Sequence, residues 1–250
     1  MAGQRNRTAV EDGLKAIFSV GEWDPRGRTN SEIAARLGAP ASTVSELVRR
    51  LADEGLVEHE RYGTIELTDD GMRQALGMVR RHRLIETYLV NQLGYSWDEV
   101  HDEAEVLEHA VSDRMLDRMD EALGHPWRDP HGDAIPTPTG LLHLPVARPL
   151  AALDEGEGGW VARILDEEPE LLRWFVQQGI TLDTPITVEA MQPFGGALTV
   201  RVGADETEHT VDLGIQAVAS LWIAPSSPVD AAGPAGGCHY DQCEHVGVDA

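Results

Sequence analysis

Apolar residues recur at helical spacing through most of the first half of the chain and at strand spacing through much of the second. Val10, Leu14, Ile17 and Phe18 share one face, which predicts an amphipathic helix over residues 8–20. Thr29 and Glu32 stand at capping-box spacing before Ile33, Ala34 and Leu37, and Gly38 stops that second helix. Past Pro40, a third helix carries Val44, Leu47, Val48 and Leu51 on one side. Two short strands are then expected, Val57 to Arg61 and Thr64 to Thr68, turning at Tyr62-Gly63. Small residues where the second and third helices meet (an alanine, then the turn glycine) suit helices crossing at a steep angle. This order of elements predicts a winged helix-turn-helix over residues 1–70.

Residues 71–91 repeat Met72, Ala75, Leu76, Val79, Leu84 and Leu89 as one long helix, with two more at 96–110 and 112–123. Together they make a helical block over 71–140, closed by the Pro- and Gly-rich stretch GHPWRDPHGDAIPTPTG. Residues 141–159 read as a linker by composition. From Trp160 to Ile223 the texture is short β-rich runs around one helix, PELLRWFVQQG, which predicts a small SH3-like β-barrel over 160–224. Residues 225–250 read as a flexible tail ending in CHYDQCEHVGVDA. The expected fold is therefore mainly α with a small β domain.

Charge separates the parts. The net charge is −23, yet residues 1–50 hold eight Lys or Arg against six Asp or Glu, and the remainder holds 12 against 37. The molecule as a whole repels nucleic acid and anionic membranes, while its first part does not share that bias. The two cysteines, Cys238 and Cys243, both fall in the tail, so no disulfide framework is expected. No apolar run approaches a membrane-spanning length, and the N-terminus lacks the apolar stretch of a signal peptide. A cytoplasmic protein with no membrane partner is the expectation.

Candidate chemistry lies in two helical segments. HDEAEVLEH places His101, Glu105, Glu108 and His109 on one side of a helix, and HRLIE places His82 and Glu86 at i, i+4. Asp12, near the start of the first helix, is within reach as a further carboxylate. Four carboxylates and three imidazoles without sulfur suit Mn²⁺ or Fe²⁺ better than the thiolate sites that select zinc or Cu(I). Seven ligands are enough for two six-coordinate ions helped by water or carbonyl groups. The tail offers Cys238, His239, Cys243 and His245 as a candidate soft-metal site, zinc before manganese. That spacing fits no standard zinc module, and an acidic tail with incidental Cys and His is the competing reading.

The winged helix-turn-helix, the segment RRHRLIETYLVNQLGYSWDEVHDEAEVLEHAVSD and the stretch DPHGDAIP together resemble the diphtheria-toxin-repressor family of metal-dependent transcriptional regulators. The resemblance covers roughly residues 8–223 and includes the SH3-like, FeoA-like domain of the longer members. It implies a repressor that binds palindromic double-stranded DNA as a homodimer built on the helices of about 71–123. Asp12, Glu105, Glu108 and His109 match the family's primary, activating site. His82, Glu86 and His101 match its ancillary site, to which the SH3-like domain can add an acidic ligand, best aligned here as Glu168. Iron-responsive members resemble Met and Cys where this chain has Asp12 and Glu105, so the resemblance implies Mn(II), with an Fe(II)-responsive or multi-metal repressor the alternative, and two ions per chain. Lys15 departs from the short manganese regulators, which place a carboxylate there, so two separate sites are expected rather than a close metal pair.

On the nucleic-acid side, Ser42, Thr43 and Ser45 open the recognition helix, Arg49 and Arg50 can anchor phosphates, and Arg28 and Arg61 flank the wing. Two rival functions bear on the same residues. A winged-helix regulator of a small organic ligand would make the His/Glu face mere surface, and no such ligand is expected. A di-metal carboxylate enzyme would need Glu-x-x-His pairs from a four-helix bundle, and only a DNA-binding module accompanies these ligands.

Overall fold

The amphipathic pattern of the first segment becomes α1 (Ala2–Glu22) in the computed structural model, which describes residues 2–23, 28–59, 63–192, 196–225 and 243–246. The chain divides into two units. The first holds residues 1–82, 136–141 and 247–250, the second residues 83–135 and 142–246.

In the first unit, Leu14 and Ile17 of α1 are fully buried, with Phe18 beside them in the chain almost so. Helix α2 (Asn30–Arg36) starts at a complete capping box. The Glu32 N–H donates to Thr29 Oγ1 and the Thr29 N–H donates to Glu32 Oε2. Pro40 precedes α3 (Ala41–Asp53), which buries Val44, Val48 and Leu51 and leaves the face bearing Ser42, Thr43 and Arg49 exposed. The wing is a two-stranded antiparallel ribbon, β1 (Val57–His59) with β2 (Ile65–Leu67). Strand β2 is one residue shorter at each end than its sequence suggested, and residues 60–62, where the first strand was expected to end, lie outside the described ones. Helices α1, α2 and α3 pack pairwise, with β2 against α1 and β1 against α3. That is the winged helix-turn-helix. Gly71 is required where α4 (Asp69–Leu93) leaves the wing, since a Cβ there would stand 1.9 Å from the Leu56 carbonyl oxygen.

In the second unit, the last part of α4 joins α5 (Val100–Leu107) and α6 (Asp113–Leu123) around Leu84, Ile85, Leu89, Val100, Ala104, Leu116 and Met119. Ser112 caps α6, accepting the Met115 N–H, and Gly124 ends it in the left-handed region at φ 74°. The β part is a six-stranded antiparallel sheet formed by β4 (Arg148–Pro149), β5 (Gly158–Ile164), β6 (Pro185–Met191), β7 (Leu198–Val202), β8 (His209–Leu213) and β9 (Leu221–Ala224). The strands lie in the order β4-β9-β5-β6-β7-β8. Bulges at Val161–Arg163 and Val188–Ala190 bend it. Helices α7 (Pro169–Gln177) and α8 (Ile215–Ala219) complete this domain, whose core holds Phe175, Ile180, Val200 and Leu213. A separate ribbon pairs β3 (Leu142–Pro145) with β10 (Cys243–Val246). Residues 141–159 are therefore not a bare tether. They contribute β3, β4 and the start of β5, and Leu142 and Leu150 are fully buried, which a free linker cannot be.

Thr29→Ala should cost the protein about 1 kcal/mol, while Thr29→Ser should cost less than half of that. Urea unfolding of the metal-free chain followed by far-ultraviolet circular dichroism measures both. Equal losses for Ala and Ser would show that the cap does not hold α2.

Candidate metal centre

Helix α4 delivers Glu86 to the interior of the second unit, with only 1% of its surface exposed. Helix α5 sets His101 opposite, its Nδ1 lying 3.2 Å from Glu86 Oε1 and 3.4 Å from Asp166 Oδ2, and its Nε2 3.6 Å from Glu105 Oε1. The acidic residue that the β domain brings to His101 is thus Asp166. Glu168, chosen by alignment, is instead the exposed residue before α7, where Pro169 starts the helix and turns it outward.

A residue that spacing could not nominate completes the group. His131 is fully buried in the loop following α6, and Glu86, His131 and Asp166 each offer an atom within 4.8 Å of the others. Its Nε2 lies 2.7 Å from the Trp97 carbonyl oxygen, which can only accept, so Nε2 carries a hydrogen and, in the neutral ring, Nδ1 keeps its lone pair. The ring stacks on the Trp97 indole at 5.7 Å and 17°. Nδ1 is buried without a hydrogen-bond partner, so the lone pair that the tautomer exposes is available to a ligand.

The loop is held from both ends. Asp129 Oδ1 accepts the N–H groups of His131 and Asp133 at 2.8 and 3.0 Å. Arg83 donates to the Ala134 carbonyl at 2.6 Å and lies 3.7 Å from Asp129, while Arg163 donates to Asp133 at 2.5 Å with its guanidinium over the Trp222 ring. Gly132 has φ 95° and runs so close to β5 that a Cβ would lie 2.1 Å from the Ala162 carbonyl oxygen. The Ile164 N–H donates to the His131 carbonyl and fixes the loop along that strand.

Burial, with Asp133 and Glu86 nearby, pushes the Asp129 carboxyl up from 3.8 to about 7. Burial acts to lower His131, but the carboxylates of Asp129, Glu86 and Asp166 outweigh it and hold the imidazole above its ordinary value.

Elsewhere in this unit, Glu108 at the end of α5 is fully buried, and its Oε1 lies 3.5 Å from His109 Nε2. Glu105 is more exposed on the same helix. In the first unit, Asp12 is half-buried on α1. Lys15, also on α1 and 9% exposed, brings Nζ to 3.5 Å from Nδ1 of His82, which lies one turn before Glu86 on α4. An ammonium has only donors, so Nδ1 of His82 is the acceptor.

On α3, Ser42 and Thr43 are exposed and the Arg49 side chain is 71% exposed. Ser45 Oγ donates to the Ala41 carbonyl and accepts from Asn30 Nδ2, so it is engaged within the fold. Arg50 lies 3.6 Å from Glu54. Arg28 does not stand out into solvent as a wing cation: its side chain is 15% exposed and Nη1 lies 2.5 Å from Glu66 on β2. Arg61, Cys238 and His239 lie outside the described residues, and Cys243 and His245 are strand positions on β10.

Comparison with known proteins agrees with this anatomy. Residues 7–65 match the iron dependent repressor N-terminal DNA binding domain, 68–137 the iron dependent repressor metal binding and dimerisation domain, and 148–215 the FeoA domain. The iron-dependent repressor IdeR of Mycobacterium tuberculosis is 31% identical over 210 residues, which cover 77% of this chain and 88% of that protein. A manganese-dependent transcriptional repressor solved in complex with manganese is 50% identical, with a TM-score of 0.82 over 86% of this chain and 99% of the other. The manganese regulator SloR is 31% identical, with a TM-score of 0.71 over 86% and 98%.

A winged DNA-binding domain joined to a metal-binding and dimerisation domain defines a metal-dependent transcriptional repressor. The chain belongs to the diphtheria-toxin-repressor family, whose members are regulators and not enzymes. Among the described residues, no helix is long and apolar enough to cross a membrane.

Two measurements follow from the site. Between about pH 4 and pH 7 the folded state holds a proton on Asp129 that the unfolded chain has released, so this group's contribution to stability falls as pH rises through that window. His131, raised as well, acts in the same direction above its unfolded value. The melting temperature of metal-free protein should therefore drop from about pH 5 to pH 7.5, and Asp129→Asn should flatten the drop. Separately, Asp166→Ala should weaken Mn²⁺ binding by at least about tenfold in calorimetric titration, whereas Glu168→Ala should leave it unchanged. The reverse ranking would return the acidic ligand to Glu168.

Proposed function

We propose that this protein is a Mn(II)-activated repressor that binds a palindromic operator as a homodimer and holds two metal ions per chain. The observation that carries the reading is the donor set. Every candidate ligand at the two sites is a carboxylate or an imidazole, and Asp12 and Glu105 stand where iron-responsive relatives of the family resemble Met and Cys. The manganese complex of a relative that is 50% identical supports it.

In this reading Asp12, Glu105, Glu108 and His109 form the activating site, and Glu86, His101, Asp166 and His131, with His82, form the ancillary one. A bound divalent ion supplies positive charge to groups that otherwise repel one another. Asp12 belongs to the first helix and its partners to α5 and its end, so their joint use ties the winged domain to the dimerisation helices. The metal-bound arrangement is then selected because it is the one in which these ligands converge. Metal also offsets part of a net charge of −23, which opposes approach to phosphates. Ser42 and Thr43 open the helix that enters the major groove, and Arg49 holds backbone phosphate. This activity places the protein in the cytoplasm.

Fe(II) is the second reading, favoured by the likeness to IdeR and by Fe²⁺ accepting the same ligands. Capture of sheared genomic DNA under anaerobic conditions, with chelator, Mn²⁺, Fe²⁺ or Zn²⁺, separates the two. Recovery with Mn²⁺ and loss with chelator is the expected outcome, and the fragments would supply the operator. Asp12→Met/Glu105→Cys should lower activation by Mn²⁺ at least about tenfold while sparing Fe²⁺. Stronger activation of the wild type by Fe²⁺ would overturn the manganese assignment, and metal-independent recovery would overturn the switch itself. Arg49→Ala should weaken all DNA sequences alike and reduce the salt slope by about one.

A further inference from the structure

Arg28 stands beside the wing with both of its polar ends engaged inside the winged domain. Its carbonyl accepts the Ile65 N–H at 2.9 Å, and its Nη1 donates to Glu66 Oε2 at 2.5 Å, so one residue holds two consecutive positions of β2. Between these ends the side chain crosses the last turn of α1 at Gly21, where a Cβ would stand 1.9 Å from Nε and 2.6 Å from Cζ. Only glycine, which lacks a Cβ, leaves the guanidinium in that place. Nε is buried there with no hydrogen-bond partner, a cost that packing alone does not explain. The wing needs such a hold. Strands β1 and β2 have three residues each, and a two-stranded ribbon of that length is marginal by itself. Glu58 and Glu66 are direct partners across it and both are exposed, and like charges directly opposite destabilise a strand pair. The Arg28 guanidinium sets a positive charge against that pair.

From this geometry we infer that Arg28 is a positioning residue for DNA binding. Seated over Gly21, it ties β2 to α1 through Glu66 and so sets the wing, and it does not itself hold phosphate. The inference rests on the DNA-binding reading of the winged domain and adds a determinant that lies outside the recognition helix. It differs from a phosphate contact in the sign of one effect. A carboxylate competes with phosphate for an arginine, so removing Glu66 would free a phosphate-binding Arg28 and strengthen binding. A tie is broken by removing either end.

The full-length, Mn²⁺-loaded protein is measured in two ways. Hydrogen exchange reports residues 64–67 without DNA, and a labelled duplex taken from the genomic fragments captured with Mn²⁺ reports binding over a range of salt. Arg28→Met, Glu66→Ala and Gly21→Ala should each speed exchange in the wing and weaken duplex binding by at least about fivefold, with the salt slope unchanged. Gly21→Ala/Arg28→Met should bind no more weakly than Arg28→Met, because the added methyl then has no guanidinium to displace. Unchanged Mn²⁺ binding establishes that the variants are folded. Tighter duplex binding by Glu66→Ala, or a salt slope reduced by about one in Arg28→Met, would overturn the inference and make Arg28 a phosphate contact. Unchanged exchange in Arg28→Met would overturn the tie itself. A wild type that captures no DNA would remove the operator-binding reading, while the exchange measurement would still decide whether Arg28 holds the wing.

Discussion

Four carboxylates, Glu86, Asp129, Asp133 and Asp166, are gathered in one region of the second unit where water has little access, and two fixed cations, Arg83 and Arg163, stand among them. A carboxylate taken out of water must be paired or must take up a proton. The arginines answer Asp129 and Asp133. Glu86 and Asp166 face imidazoles, His101 and His131, which are cationic only when protonated. The metal-free region therefore favours protons, which is why Asp129 and His131 are both raised. A divalent ion delivers two positive charges at once and leaves the imidazoles neutral, the form in which they ligate. The electrostatics of these few residues leave the region with negative charge that a divalent cation would neutralise.

Much of the neighbouring architecture keeps that arrangement in place. His131 is aimed by the Trp97 carbonyl and ring, and its loop is pinned to β5 by the Ile164 N–H and by the close approach that only Gly132 permits. Arg163 joins the β sheet to the same loop through Asp133, and its guanidinium lies over the Trp222 ring. The β domain thus contributes to the cluster, since Asp166 stands just past the end of β5 and beside His101. Lys15 illustrates the opposite case. With its amine beside His82, a fixed cation already occupies ground that a carboxylate would have made attractive to another ion.

The helix-turn-helix was legible in the sequence because its determinants are local: a capping box at Thr29 and Glu32, a stop at Gly38, and apolar residues at intervals of three and four. His101 with Glu105, and His82 with Glu86, were legible for the same reason. His131 and Asp166 were not, since they come from irregular segments far apart in the chain, and no period links them to α4 and α5. In the acidic run from Asp166 to Glu170, alignment favoured Glu168. Burial distinguishes them, because Asp166 remains beside β5 while Pro169 carries Glu168 into a helix start facing solvent. Arg28 looked like a free wing cation only because its partner, Glu66, is 38 residues away. The stretch 141–159 resembled a tether by its prolines and glycines, yet Leu150 and Leu153 enter the β core and Leu142 is buried on β3.

We propose that the buried carboxylates around Glu86 form a metal site and not merely an acidic interior. Anomalous diffraction at the manganese absorption edge, from crystals grown with Mn²⁺, tests it most directly. A peak is expected among Glu86, His101, His131 and Asp166, with imidazole nitrogen and carboxylate oxygen within coordination distance. A peak at the end of α5 alone, with none at Glu86, would contradict it.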